Sequence, residues 1–253
     1  MKLHLLLLLA LGLLIPVAAR ANYSFRESFD QTHAFQPNSS LTLENVNGDV
    51  SIRTWDKDEI RIEGEKSAET DTELKQIDLR IELSDSSANI KVKLPKRTGT
   101  WFGNTIRAAV RFEIMVPAST RIEHVGCVNS SIKLEGVRGA VAARSVNGGI
   151  SARGLGGDAD LHTVNGSVDV AFAAIAAGQK LSIDTVNGGV RVRVPKDSGL
   201  DVDISTVNGG IDCDLPITLE RSHHRHSLSG KVGDGRASFR ARTVNGGVHI
   251  QTS

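Results

Sequence analysis

The chain has 253 residues, 40% of them hydrophobic and only 4% aromatic, with 25 glycines and a formal charge of +1. That length buries a sizeable core, and a charged fraction of 23% argues against wholesale disorder. Near-neutral charge excludes the basic excess of a nucleic-acid binder, and two cysteines exclude a disulfide-rich scaffold or a four-cysteine zinc site.

Residues 1–21 read as a secretory signal peptide. Lys2 precedes an apolar run from Leu5 to Ile15, and the small-residue exit Ala19-Arg20-Ala21 places cleavage after Ala21. The run is short for a spanning helix, and no later stretch approaches ~20 consecutive apolar residues, so no transmembrane segment is expected after cleavage. Cleavage removes Lys2 and Arg20, which leaves the basic residues one short of the 29 acidic ones. The expected location is extracytoplasmic, periplasmic or secreted.

Residues 22–40 read as a lead-in or cap. Tyr23, Phe25, Phe29 and Phe35 cluster there, as expected of a cover over the open first coil of a stack. The domain proper is expected over 41–253. In its first part Ile60–Ile62, Leu79–Leu83, Ile90–Leu94 and Val110–Ile114 alternate apolar and polar residues, the period of a strand. A short helix is expected within Glu69–Ile77 and a surface loop over Lys96–Arg107. Trp101-Phe102 in that loop is the candidate for an exposed contact with a partner.

The pattern Val-Asn-(Gly/Ser)-x-(Val/Ile) then dominates. It begins at Val46, Val128, Val146, Val164, Val186, Val207 and Val244, with spacings of 18, 18, 22, 21 and 37 residues from Val128 onward. Seven of the twelve asparagines occupy this one position: Asn47, Asn129, Asn147, Asn165, Asn187, Asn208 and Asn245. Three residues before the valine, and four and six after it, the copies are apolar throughout, with mostly polar residues between. Period-two alternation on both sides of an Asn-Gly corner reads as two strands joined by a tight turn, since both residues tolerate positive φ. A second corner falls at Gly136–Gly139 and Gly154–Gly157, and Pro95, Pro117, Pro195 and Pro216 close strands.

An antiparallel meander and a solenoid both share this pattern. The outward charges favour the solenoid, where Arg191 would stack between Asp169 and Asp212, and Arg193 beside Asp214. The fold expected is therefore all-β, a single elongated β-solenoid or β-helix-like domain built from repeats of 18 to 22 residues. In sequence order Cys127 and Cys213 lie four coils apart, ~19 Å at ~4.8 Å per coil, too far for a disulfide. Both are expected as buried free thiols.

Three further groups bear on chemistry. His223, His224 and His226 are the metal-ligand candidates, although no carboxylate or cysteine stands at a convincing spacing and a solvated loop explains them as well. Asp201, Asp203, Asp212 and Asp214 suggest a glycosidase pair or calcium, but arginine neighbours would neutralise them. No phosphate loop, Gly-x-Ser-x-Gly elbow or His-Glu-x-x-His motif occurs, so no catalytic residue and no cofactor are assigned.

The segment Leu43-Glu-Asn-Val-Asn-Gly-Asp-Val-Ser-Ile52 with Trp55-Asp-Lys-Asp-Glu-Ile-Arg-Ile62 resembles the opening of a bacterial exported family of candidate adhesins with β-strand repeats. Leu228-Ser-Gly-Lys-Val-Gly-Asp-Gly235 with Thr243-Val-Asn-Gly-Gly-Val248 is similar to that family's close. The resemblance spans residues 41–250. It implies a β-solenoid outside the cytoplasm and brings no catalytic residue with it. The function expected is a non-enzymatic binding or scaffold module of the cell envelope, its partner an envelope protein or glycan and not a nucleic acid. The alternatives are a polysaccharide-active lyase or hydrolase on the same fold, and a structural protein that self-associates through the solenoid ends.

Overall fold

The computed structural model describes residues 23–95, 107–219 and 226–253. The chain runs through β1 (Phe25–Ala34), β2 (Ser40–Asn47), β3 (Val50–Trp55), β4 (Glu59–Ala68), α1 (Asp71–Lys75), β5 (Asp78–Ser84), β6 (Ser87–Lys93) and β7 (Ala108–Pro117). The repeats follow as strand pairs: β8 and β9 (Arg121–Asn129, Ile132–Glu135), β10 and β11 (Val141–Asn147, Ile150–Leu155), β12 and β13 (Ala159–Asn165, Val168–Phe172), β14 and β15 (Lys180–Asn187, Val190–Val194). The chain closes with β16 and β17 (Leu200–Asn208, Ile211–Cys213), β18 (Ile217–Leu219), β19 (Ser227–Val232), and β20 and β21 (Ala237–Asn245, Val248–Thr252). The only helix among the described residues is α1. Thr70 caps it by accepting from the Glu73 N–H, and it buries Leu74.

Two sheets face each other across one core. The first has ten strands in the order β1-β4-β7-β3-β9-β11-β13-β15-β21-β17. The second has eleven in the order β18-β19-β16-β20-β14-β12-β10-β8-β2-β6-β5. Each repeat contributes one strand to each sheet, and like positions pair in parallel: Asn147 with Asn165, Ile150 with Val168, Val190 with Val248. This is the β-solenoid expected from the sequence, not the antiparallel meander. The residues three before the valine, Leu43, Val125, Ala143, Leu161, Ile183, Ile204 and Ala241, are all fully buried. Four residues past it only Ile211, in the end coil, is less than buried. β-branched and small side chains fill a thin interior, and few aromatics fit.

The stacking order differs from the chain order at both ends. β6 and β7 form a coil that lies outside β2 and β3, although it comes later in the sequence. β20 and β21 insert between β14/β15 and β16/β17, so the repeat at Asn245 precedes the one at Asn208 in space. Several expectations change as a result. Arg191 stands between Asp169 and His249, not between two aspartates. Arg193 binds Asp169 at 2.8 Å, while Asp212 faces His249 at 3.3 Å. Cys127 and Cys213 are five coil steps apart, roughly 24 Å at ~4.8 Å per step. Both are free; Cys127 is buried but Cys213, in the end coil, is only half-buried.

Antiparallel strands close the ends: β4 and then β1 beside β7, β5 beside β6, and β19 and then β18 beside β16. Phe35 is fully buried, and Phe29 packs edge-on against Phe112 with ring centroids 5.7 Å apart. The aromatic lead-in thus lies against the outer coil β6/β7 rather than the first coil of the sequence. Among the described residues no helix is long and apolar enough to cross a membrane.

Candidate functional site

The seven corner asparagines form one continuous ladder. Each side-chain amide donates to the Oδ1 of the asparagine one coil before it in space: Asn129 to Asn47, Asn147 to Asn129, Asn165 to Asn147, Asn187 to Asn165, Asn245 to Asn187 and Asn208 to Asn245, all between 2.7 and 2.9 Å. The row starts where Asn47 donates to the Ala108 carbonyl of β7. A second ladder runs behind it. Ser145, Thr163, Thr185, Thr243 and Thr206 point inward and donate to corner carbonyls of the preceding coil at 2.8 to 3.0 Å. At Cys127 this row lacks a hydroxyl, and Asn45 instead satisfies the Gly48 carbonyl from within its own coil. Aligned amides strengthen one another and fix the coil spacing.

The corner glycines serve a purpose other than the one expected. Of those that follow the asparagines, only Gly48 has positive φ. At Gly148, Gly166, Gly188, Gly209 and Gly246 a Cβ would overlap a backbone carbonyl of the adjacent coil. Close stacking, not turn geometry, demands glycine there. Positive φ does hold at the second corner, in Gly136 and Gly154.

With the backbone so fixed, outward side chains stand in columns. On the ten-stranded sheet Glu135 bridges Lys133 and Arg53 at 2.7 and 3.3 Å, and Asp169 bridges Arg193 and Arg191 at 2.8 and 3.6 Å. The Lys133 ammonium beside Glu135 holds that carboxyl below its usual range. On the other sheet Arg144 meets Asp160 at 3.1 Å and Lys91 meets Glu44 at 2.6 Å.

Between the paired columns of the first sheet lies a trough of ≈ 550 Å³. Ser51, Ser131, Ser151 and Ser167 contribute small hydroxylic side chains to it. Arg111, Glu113, Lys133 and Asp169 flank them. Arg111 and Glu113 make no ion pair among the described residues. The lining side chains offer hydroxyls, carboxylates and cationic groups for hydrogen bonding and charge pairing.

The residues singled out from sequence are distributed as follows. Trp101, Phe102, His223 and His224 lie outside the described residues. His226 serves the end coil: its carbonyl accepts from the Thr206 N–H, and its Nδ1 lies 3.2 Å from the Gly209 carbonyl. Among the described residues no group of three or more His, Cys, Asp or Glu is placed to hold a metal. The four aspartates do not converge, because Asp201 and Asp203 lie on β16 and Asp212 on β17 of the opposite sheet. Asp203 is bridged by Arg240 and Arg242 at 3.4 and 3.5 Å.

Two features escaped the sequence reading. One is the serine trough, whose members come from two repeat positions, three and five past the valine, and meet only through stacking. The other is the repeat valine itself, which faces outward: Val128, Val146, Val244 and Val207 are 38 to 61% exposed. Its phase could have revealed it, since the residues one and three before it point in.

Parallel coils, a continuous asparagine ladder and outward side chains in columns define a β-solenoid. The Toastrack DUF4097 family model matches residues 129–251 of this chain, a segment that includes six of the seven corner asparagines. A solved structure from Clostridium sporogenes, described as a candidate cell adhesion protein, shares the fold at 13% identity and TM-score 0.50, over 90% of this chain and 100% of that one. A candidate adhesin from Bacteroides fragilis overlaps more loosely, at 10% identity and TM-score 0.30 over 89% of this chain and 97% of that one. So does a candidate lipid-binding protein from Parabacteroides distasonis, at 11% and 0.31 over 91% and 97%. No curated protein matches the sequence.

Proposed function

We propose that the chain is an exported, non-enzymatic module that binds or scaffolds at the cell envelope. It would hold an extended polar partner, a glycan or a stretch of an envelope protein, along the outer face of the ten-stranded sheet. The observation that carries this reading is the serine-lined trough, with Arg111 and Glu113 making no ion pair among the described residues, on a backbone fixed by the asparagine ladder. Rigid spacing favours a repeating ligand, because little ordering entropy is lost on binding. The leader read from residues 1–21 and the adhesion label of the Clostridium structure are consistent with it.

The test is calorimetric titration of the purified chain with a panel of envelope polysaccharides, with released reducing ends assayed in parallel. Ser151→Trp, which fills the trough, is expected to weaken binding by about tenfold or more. Ser229→Trp, on the opposite sheet, should leave it unchanged. Binding indifferent to Ser151→Trp would remove the trough from the proposal, and steady release of reducing ends would replace it with the polysaccharide-active enzyme.

A further inference from the structure

β1 is the outermost strand of the ten-stranded sheet and is paired with β4 along its full ten residues, from Phe25 opposite Ala68 to Ala34 opposite Glu59. Its other side has no strand partner among the described residues. Alternate residues of an antiparallel strand turn both backbone groups to the same side, so about half of its N–H and C=O groups face away from β4. The remaining sheet ends are shorter: β17 and β18 have three residues each and β5 has seven.

Edge strands are commonly guarded by shortness, charged side chains, proline, a bulge or a covering helix or loop, and the guard that β1 carries is the charge of Arg26, Glu27 and Asp30. β1 has no proline, and its register with β4 is unbroken. Glu27 shares the inner side with Phe29, but Lys66 neutralises it at 2.9 Å. Phe25 is left 42% exposed on that same side.

We propose that β1 is the contact strand of a symmetric dimer, pairing antiparallel with β1 of a second copy about Ser28. The strand is self-complementary in that register. Arg26 of each copy lies opposite Asp30 of the other, which makes two charge pairs. Phe25 lies opposite Gln31 and diagonal to Phe29, within reach for aromatic contact. Arg26 and Asp30 have side chains 57% and 52% exposed, so each can reach outward while keeping its own partner, Glu65 or Arg61.

Neighbouring registers lose this match, because opposed residues must share a face and the registers step by two. Centring on Glu27 opposes that carboxylate to itself, and centring on Asp30 does the same. Centring on Phe29 opposes no pair of charges. Pairing about Ser28 would join the two ten-stranded sheets into one and leave each trough on an accessible outer face.

The experiment is cysteine linking on the purified chain, with whatever leader processing its host performs, in a Cys127→Ser, Cys213→Ser background. Opposed Cα atoms of an antiparallel pair lie about 4.5–5.5 Å apart, within disulfide reach. Ser28→Cys is expected to give a covalent dimer under mild oxidation, and Glu27→Cys and Phe29→Cys little. By sedimentation, Arg26→Asp or Asp30→Arg alone should weaken self-association about tenfold. The double exchange should restore it. That recovery distinguishes the dimer contact from fold damage, because the pairs with Glu65 and Arg61 stay reversed. A chain that sediments as a monomer at about 100 µM with its strands intact overturns the proposal, since even a weak dimer shows there. Linking that is equally efficient at all three positions overturns it as well.

Discussion

At every asparagine corner except that of Ser130 a glycine lies against a carbonyl oxygen of an adjacent coil, and at the five from Gly148 onward that contact limits the residue more tightly than its own dihedral angles do. Adding one methyl at Gly166 forces it onto the Gly148 carbonyl, and the stack cannot open there without breaking both ladders. Gly166→Ala is therefore expected to cost about 1–3 kcal/mol in urea unfolding, the usual range for overpacked sites. Gly210→Ala, in the end coil with nothing within 4 Å of the added atom, should lie within about 0.5 kcal/mol of the parent. If the two substitutions cost the same, stacking is not what selects glycine. The alternation of each repeat told which side chains point in, because phase along one strand is a local property. It could not tell why Gly166 is glycine, because the atom it would strike belongs to a residue 18 positions earlier. Ser130 shows the same limit: it stands where the other corners have glycine, and its hydroxyl is buried with no partner among the described residues.

Individual strands are short and gain from charge rows that cross from one coil to the next. Glu44 and Glu135 are held below the ordinary carboxylate range, chiefly by hydrogen bonds from Lys91 and Lys133. A carboxyl lowered on folding contributes stability that is present above its unfolded value and is lost as pH falls through the folded one. Thermal midpoints should therefore be level from pH 7 to about 5 and decline below about 4, the unfolded range of glutamate. Salt at ~1 M should soften that decline, because these pairs are exposed and screened. A decline that begins above pH 6 would point to another group. The thiols behave differently: burial pushes Cys127 up to about 12, so it should resist alkylation at pH 8 in the folded chain. The existence of the charge rows was legible from outward Asp and Arg at matching offsets. Their partners were not, because Asp212 meets His249 only once the neighbour of β17 is known to be β21.

The whole stack is ordered by insertion. β16 and β17 pack on β20 and β21, and these in turn pack on β14 and β15. A seven-fold repeat gives no hint of this, since every coil offers the same corner and the same inward residues to either neighbour. The clue lay in the spacing of 37 residues before Val244, which holds β18 and β19 and the length needed to double back. Removing residues 237–253 is expected to abolish hydrogen-exchange protection in β16 and β19 while leaving it in β10 to β13. Retained protection in β16 would mean that its coil docks directly on β14 and β15, and that insertion is not obligatory. The interleaving also sets a sequence of events. Residues 200–232 are synthesised before 237–252, yet their seat is made by the later segment. A growing chain therefore cannot lay down its coils one after another to the end. It carries an unseated hairpin until the last insertion, and a chain interrupted before that point exposes two long parallel edges to proteases and to aggregation. The topology thus distinguishes an interrupted chain from one in which that segment has been made.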